Sequence, residues 1–120
     1  MIIPVVTRDL IYFSKLESLI SPEHRMIQIK NIEDIDKLDF ANERTIFIAD
    51  LNDELINELF NRKNKISVVA YYPHVMKNLR ELGEKLGCKI IITRKKLLTE
   101  INSIANTLEG DAWNENRISL

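Results

Sequence analysis

Short apolar runs alternate with amphipathic stretches along the whole chain. The clearest run is residues 45–50, Thr-Ile-Phe-Ile-Ala-Asp, which is rich in β-branched residues and ends in a carboxylate. A run of this kind predicts a strand that is buried on both faces, which is typical of a parallel sheet covered by helices. Apolar positions at helical spacing follow each run. The pattern therefore predicts about five strand–helix units in strict alternation.

Each predicted strand has its own pattern. The first contains Pro4, which cannot donate to a sheet ladder, so either the run pairs mainly after Pro4 or the proline nitrogen faces an unpaired position. The second alternates apolar and polar residues, which favours a place near an edge of the sheet. The five runs are 2–6, 26–29, 45–50, 66–71 and 89–92.

Capping residues and helix breakers predict the helix ends. The expected starts are Thr7, Asn31, the segment 51–54, Pro73 and Thr93, and the expected glycine ends are Gly87 and Gly110. In the first helix the expected buried residues are Leu10, Phe13, Leu16, Leu19 and Ile20, and in the fourth they are Val75, Leu79, Leu82 and Leu86. Gly83 disfavours a helix interior by about 1 kcal/mol relative to alanine, so we expect a close approach there.

Right-handed crossovers between these units give a three-layer α/β sandwich with a doubly wound parallel sheet. The expected arrangement is a (βα)5 fold of the flavodoxin-like or receiver-like type, with strand order 2-1-3-4-5. We expect one domain over residues 1–109 and a polar tail over 110–120. The tail either frays or docks on the domain, and Trp113 is the residue that favours docking.

Composition excludes several classes of function. The chain has 120 residues, a formal net charge of −1 and no long block of like charge, so no nucleic-acid or membrane partner is expected. It shows neither a signal-peptide pattern nor an apolar run of transmembrane length. The single cysteine, Cys88, excludes an internal disulfide, and a cytoplasmic location is the expectation.

Polar side chains collect at the predicted carboxyl ends of the strands. They are Thr7, Arg8 and Asp9 after the first strand, Asp50 at the end of the third, Tyr71 and Tyr72 after the fourth, and Thr93 and Arg94 after the fifth. In the 2-1-3-4-5 order the first and third strands flank the switch point where ligands bind. Asp9 and Asp50, with a cation from Arg94, have the chemistry to hold Mg²⁺ and a phosphoryl group.

Four short motifs in this layout carry a family resemblance. They are DLIYFSK at 9–15, DLN at 50–52, AYYPHV at 70–75 and GC at 87–88. Together they resemble the receiver domains of response regulators, and more closely the stand-alone receiver-like (pseudo-receiver) proteins. The resemblance covers the chain to about the end of the last helix, without the tail.

The resemblance implies roles for the strand-end residues. Asp50 matches the phosphoacceptor, and Asp9 matches one of the two acids that hold Mg²⁺. The pattern departs from the family at three places. Arg8 stands beside a single acid after the first strand, and Ala70-Tyr71 replaces the hydroxyl residue expected after the fourth. After the fifth strand, Arg94 stands where a lysine is expected. Arginine and lysine are not equivalent at such a site, so the resemblance implies a degenerate centre.

Structural roles stay open for each of these residues. Asp50 is expected either as a phosphoacceptor or as a strand-end carboxylate that is held by backbone amides or paired with Arg8 or Arg94. Asp9 has a second role in favouring its helix N-terminus. Tyr71 and Tyr72 fit either a switch aromatic with its neighbour or ordinary packing.

Three functions follow, and the first is the leading hypothesis. It is a non-catalytic receiver-like interaction module without a cofactor. A partner protein or a second copy of the chain would bind the fourth helix, fifth strand and fifth helix. The candidate contacts are Lys95, Leu98 and Trp113. The second is a working response regulator that is phosphorylated on Asp50 with Mg²⁺. The third is a small-molecule or nucleotide-binding protein that uses the same crevice.

Overall fold

Strands and helices alternate along the whole described chain. The computed structural model describes residues 2–38, 45–62 and 66–111, apart from the side chains of 109–111. The elements are β1 (Ile2–Val6), α1 (Leu10–Leu19), β2 (Arg25–Ile29), α2 (Ile32–Asp36), β3 (Ile46–Asp50), α3 (Leu55–Arg62), β4 (Ser67–Tyr72), α4 (Asn78–Leu86), β5 (Ile90–Thr93) and α5 (Arg94–Asp111). The strands form one parallel sheet in the order β2-β1-β3-β4-β5. The predicted flavodoxin-like α/β fold and its strand order are confirmed.

Two apolar layers cover the two faces of this sheet. Alternate residues of β3 serve different layers, because successive side chains of a strand point to opposite faces. Ile46 and Ile48 join the layer that contains residues of α1 and α5, whereas Phe47 and Ala49 join the layer that contains residues of α2, α3 and α4. The strand that ends at Asp50 is therefore covered by helices on both sides, as the sequence predicts.

The edge of the sheet and the position of Pro4 also follow the predicted pattern. β1 pairs with the edge strand β2 along its full length, from Ile2 to Val6. It pairs with β3 only at Val5 and Val6. Pairing with β3 therefore begins after Pro4, whereas pairing with β2 includes Pro4, so the first of the two expected arrangements holds only on the β3 side of the strand.

The start of α1 differs from the prediction. Its N-cap is Asp9, whose carboxylate accepts a hydrogen bond from the Tyr12 amide, and not Thr7. Thr7 is buried, and its hydroxyl oxygen accepts instead from the Asp9 amide. The buried side of the helix also differs from the prediction, because Tyr12 is buried with Phe13 and Leu16 while Leu10 and Leu19 are exposed.

The bounds of α4 and α5 differ from the predicted bounds at two places and agree with them at a third. α4 begins at Asn78, so Pro73 does not start it and Val75 lies in the preceding loop, 75% exposed. Gly87 ends α4 with a left-handed φ of 82°, as predicted. α5 extends to Asp111, one residue past Gly110, the predicted end. The remaining tail, which includes Trp113, lies outside the described residues.

Candidate functional site

Charged side chains line an open cleft at the carboxyl ends of the strands, where ligands bind in open α/β sheets. The cleft has a volume of about 540 Å³ and is lined by Arg8, Asp9, Asp50, Asn52, Asp53, Glu54 and Arg94. Four of these residues were predicted at the site, namely Arg8, Asp9, Asp50 and Arg94. The structure therefore brings the predicted acids and cations together and adds the acidic segment after β3.

Asp9 uses both of its carboxylate oxygens within the protein. Oδ1 accepts from the Tyr12 amide at 2.9 Å, which caps α1, and Oδ2 accepts from the Arg94 guanidinium. The capping hydrogen bond, and then the positive charge of Arg94, hold the pKa of Asp9 below its ordinary value. Asp9 is therefore an ionised carboxylate that already has a cation beside it.

Tyr12 fixes the position of Arg94. The guanidinium carbon lies 4.4 Å from the centre of the Tyr12 ring, and the Tyr12 hydroxyl donates to the Arg94 carbonyl at 2.6 Å. The Tyr12 ring in turn contacts Tyr71, with 4.7 Å between the ring centres. Arg94 is thus oriented towards Asp9 by an ion pair, an aromatic face and a hydrogen bond to its own backbone, while its side chain stays 40% exposed.

Asp50 has a different environment. Its Oδ1 accepts from the Asn52 amide at 2.9 Å, and no described residue forms an ion pair with it. Burial raises the pKa of Asp50 above its ordinary value, and the charges of Asp53 and Asp9 add to this effect. The Asn52 amide and the more distant charge of Arg94 oppose it. Of the two alternatives expected for a structural Asp50, the structure shows the contact with a backbone amide and not the pairing with Arg8 or Arg94.

Asp53 is a cleft residue that the sequence reasoning missed. It is buried, its Oδ1 accepts from the Leu55 amide at 3.0 Å, and its Oδ2 has no hydrogen-bond partner among the described residues. The nearest cation is Arg8, whose Nε lies 3.7 Å from Oδ2 and whose side chain is 74% exposed. Its signal in the sequence is the acidic pair at 53–54, which also suits the N-terminus of a helix.

The sequence predicts that Tyr71 and Tyr72 follow the fourth strand. In the structure both are residues of β4. Both are buried: Tyr71 contributes to the layer beside α1 and α5, and Tyr72 contributes to the opposite layer. Among the described residues, the Tyr71 hydroxyl makes no well-formed hydrogen bond, although the Thr7 side chain lies close enough to affect its pKa. Burial, with the charge of Asp50, raises the pKa of Tyr71, and the Thr7 side chain lowers it in part. Both tyrosines lie beneath the surface and are not among the residues that line the cleft.

The cleft does not fit a Mg²⁺ ion as it stands. Within residues 2–38, 45–62 and 66–111, no group of three or more histidine, cysteine, aspartate or glutamate side chains is arranged to hold a metal. Both oxygens of Asp9 are engaged by the protein, and Oδ2 of Asp53 is buried. Asp50 and the exposed Glu54 are the carboxylates that remain, and Asp9, the acid that would complete a metal-binding pair with Asp50, is occupied by Arg94.

The predicted interaction residues are only partly available at the surface. Lys95 is exposed, whereas Leu98 is partly buried against the apolar layer and Trp113 lies outside the described residues. The exposed large hydrophobic residues of the described chain are elsewhere, and they are Ile2, Leu10, Ile11, Leu19 and Val75. Apolar exposure is therefore concentrated on α1 and not on α4, β5 or α5.

Comparison with known proteins gives no family for this chain. No protein-family model matches it, and no curated protein matches it. No helix within the described residues combines the length and the apolar character that crossing a membrane requires.

Proposed function

We propose that this chain is a receiver-like interaction module whose strand-end cleft does not carry out phosphoryl transfer. The ion pair between Asp9 and Arg94 is the observation that supports this most directly. Phosphoryl transfer at a carboxylate needs a metal ion that neutralises the developing charge, and the acids beside the acceptor hold that metal. Here the guanidinium of Arg94 neutralises Asp9. A single acid that is already paired therefore stands where two acids are needed to hold a metal.

The composition of the cleft also disfavours an organic ligand. Binding pockets for small molecules and nucleotides are mostly apolar, with a few polar groups that fix orientation. Every residue that lines this cleft is charged, apart from Asn52. The three glycines of the chain form no glycine-rich phosphate loop. A signal from this module therefore passes through contact with another protein.

A second candidate is a working single-domain response regulator that accepts a phosphoryl group at Asp50. The environment of Asp50 favours it, because this carboxylate has no described ion-pair partner and faces the charges of Asp53 and Asp9. A cation beside Asp50 would relieve that repulsion. The two candidates differ in whether Mg²⁺ displaces Arg94 from Asp9.

An amide NMR titration with Mg²⁺, followed by beryllofluoride as a phosphoryl mimic, separates the two candidates. The wild-type protein should show no saturable change at residues 7–9, 50 or 94. Arg94→Met removes the internal cation and nearly preserves the side-chain volume, so this variant should gain a Mg²⁺ response at Asp9 and Asp50. Arg62→Met is the matched control, since it removes an exposed arginine that pairs with Asp36 away from the cleft.

The outcomes are distinct for each part of the proposal. A saturable wild-type response to beryllofluoride that Asp50→Asn abolishes would establish the working regulator and exclude the inactive module. Silence of both the wild type and Arg94→Met would mean that the Asp9–Arg94 pair is not what prevents metal binding.

A further inference from the structure

A second cleft adjoins the strand-end cleft. It has a volume of about 390 Å³ and is lined by residues at the start of α2 and at the start of α3. Arg8 and Glu54 line both clefts, so the two clefts together form one groove at the carboxyl edge of the sheet. We call it the edge groove. Its second cleft also contains the apolar side chains of Ile32 and Leu55, and the strand-end cleft has none.

Carboxylates outnumber cations along the edge groove. Six carboxylates and three cations line it, although the whole chain has a net charge of only −1. Asp9 and Arg94 neutralise each other. Within residues 2–38, 45–62 and 66–111, Asp50, Glu33 and Glu54 form no ion pair. The groove therefore has an excess of negative charge that the protein itself does not balance.

Asp53 is an independent observation that the groove suits a cationic donor. Its side chain is 6% exposed, and its Oδ2 accepts no hydrogen bond from the described residues. The cation beside that oxygen is Arg8, at 3.7 Å and on a side chain that is 74% exposed. A buried carboxylate oxygen without a hydrogen bond is costly, and a contact of this length with an exposed side chain compensates it weakly. A donor that enters the groove at Arg8 would satisfy this oxygen.

We propose that the edge groove binds an extended basic segment of a partner protein. This inference rests on the proposed function, because it names the contact through which the module acts. One basic side chain of the segment donates to Asp50 and Asp53 in the strand-end cleft. A second one donates to Glu33 and Glu54 in the second cleft. An aliphatic side chain between them covers the apolar residues of that cleft.

An extended backbone suits a groove that joins two clefts. Alternate side chains of an extended chain point to the same side and lie about 7 Å apart, so three of them enter the groove in series. The excess of carboxylates repels the phosphates of a nucleic acid. A free polyamine supplies the cations, but it has no branched side chain to contact Ile32 and Leu55. The combination of acids and an apolar floor therefore favours a protein segment.

The test is an amide NMR titration of the full chain with short synthetic peptides. In the first peptide two lysines flank a leucine at alternate positions. It should give saturable shifts at residues 30–33 and 50–55. A peptide with glutamates in place of the lysines should give none. Replacing the leucine by serine should weaken binding about threefold or more, since the apolar contact is lost. Spermidine, as a free polyamine, should bind more weakly than the first peptide.

Two variants of the groove should change the affinity for the lysine peptide in opposite directions. Glu33→Gln with Glu54→Gln should weaken binding about three- to tenfold, as expected when two exposed ion pairs are lost. Arg8→Gln should strengthen it about two- to fivefold, because it removes a competing cation and leaves Asp53 to the ligand. The side chains of these three substituted residues are exposed, so urea unfolding of the variants should stay close to that of the wild type.

Matched controls change the net charge by the same amount away from the groove. Glu17→Gln with Glu81→Gln removes two exposed acids from α1 and α4, and neither residue lines the edge groove. Arg25→Gln removes an exposed arginine at the amino end of β2. Both controls should leave the affinity for the lysine peptide unchanged. Equal effects of the control and groove variants would show that only overall charge matters and would overturn the proposal.

Other results would also overturn it: no saturable shift with the lysine peptide, equal binding of the glutamate peptide, or shifts that lie outside the groove. Spermidine that binds as tightly as the peptide would assign the groove to a free polyamine. These failures, combined with silence towards Mg²⁺ and beryllofluoride, would leave the interaction module in place with its contact surface elsewhere. A Mg²⁺-dependent phosphoryl site would refute the module itself.

Discussion

The strand-end cleft holds three aspartates, and each has a different relation to the cations around it. Asp9 pairs with Arg94, and Asp53 lies near the exposed Arg8. Asp50 accepts one backbone hydrogen bond but has no ion pair with a described residue, and burial raises its pKa. At the residue scale, the carboxylate that the sequence singles out is therefore one whose charged form the fold disfavours.

Asp50→Asn should raise the free energy of unfolding at pH 7 by about 0.5–1 kcal/mol. Replacing a destabilising residue of a functional site commonly stabilises a protein by this amount. Asparagine keeps the oxygen that accepts from the Asn52 amide and removes the buried charge. Because the folded-state pKa of Asp50 is raised, the folded protein binds this proton more tightly than the unfolded chain. Wild-type stability is therefore lost as the pH rises through that pKa.

The advantage of the variant should consequently be largest at neutral pH and should shrink as the pH falls towards about 4, the unfolded-state value for aspartate. Urea unfolding of both proteins at several pH values measures this difference. Asp36→Asn is the control, since Asp36 pairs with Arg62 at the surface and its loss should be neutral or slightly destabilising. An Asp50→Asn protein that is less stable than wild type at pH 7 would contradict the prediction.

At the element scale, glycine occurs within α4 at position 83 and at its C-cap at position 87. Both roles were predicted from the sequence, for different physical reasons. Gly87 has a φ of 82°, and a Cβ at this position would meet no atom within 4 Å. A Cβ on Gly83 would lie 3.1 Å from the Ile91 Cδ1 and 3.2 Å from the Leu51 Cδ1. Backbone conformation therefore requires glycine at the end of the helix, and close packing on the sheet requires it inside the helix.

Gly87→Ala should lower the free energy of unfolding by about 1 kcal/mol, through strain in the left-handed conformation. Gly87→Asn should recover part of that loss, because asparagine tolerates this conformation better. Gly83→Ala should lower it by about 1 kcal/mol as well, since overpacking outweighs the gain in helix propensity. Chemical denaturation measures all three variants. Equal stability of the alanine and asparagine variants at 87 would show that backbone strain is not the cause there.

At the scale of the whole molecule, one sheet supports two apolar layers. Leu16 of α1 and Ile56 of α3 are fully buried in different layers. Leu16→Ala and Ile56→Ala should each lower the free energy of unfolding by about 2–5 kcal/mol. Because β3 and its neighbours contribute to both layers, we expect one cooperative transition in each variant, with an unchanged urea dependence. Far-UV circular dichroism during urea unfolding tests this, and a biphasic curve in either variant would show that the layers unfold separately.

Much of the fold was predictable because it depends on local patterns. Runs of β-branched residues, the helical spacing of apolar residues and the glycine at 87 each act over a few positions, and they define the strands and most of the helices. The starts of α1 and α4 were less predictable, because the joint before α1 offers two capping residues, whereas the N-cap of α4 is Lys77, which makes no side-chain capping hydrogen bond. Thr7 and Asp9 are both good caps, and the choice between them depends on which side chain the core buries.

The sequence by itself determined the alternation of strands and helices, the central place of the strand that ends at Asp50, and the collection of charged residues at the strand ends. Only the tertiary structure decided which cation meets which acid. Asp9 and Arg94 are 85 positions apart, and Tyr12 and Arg94 are 82 positions apart. Periodicity carries no information over such distances, since it reports only which face of an element is buried. The packing of α1 against α5 brings these residues together.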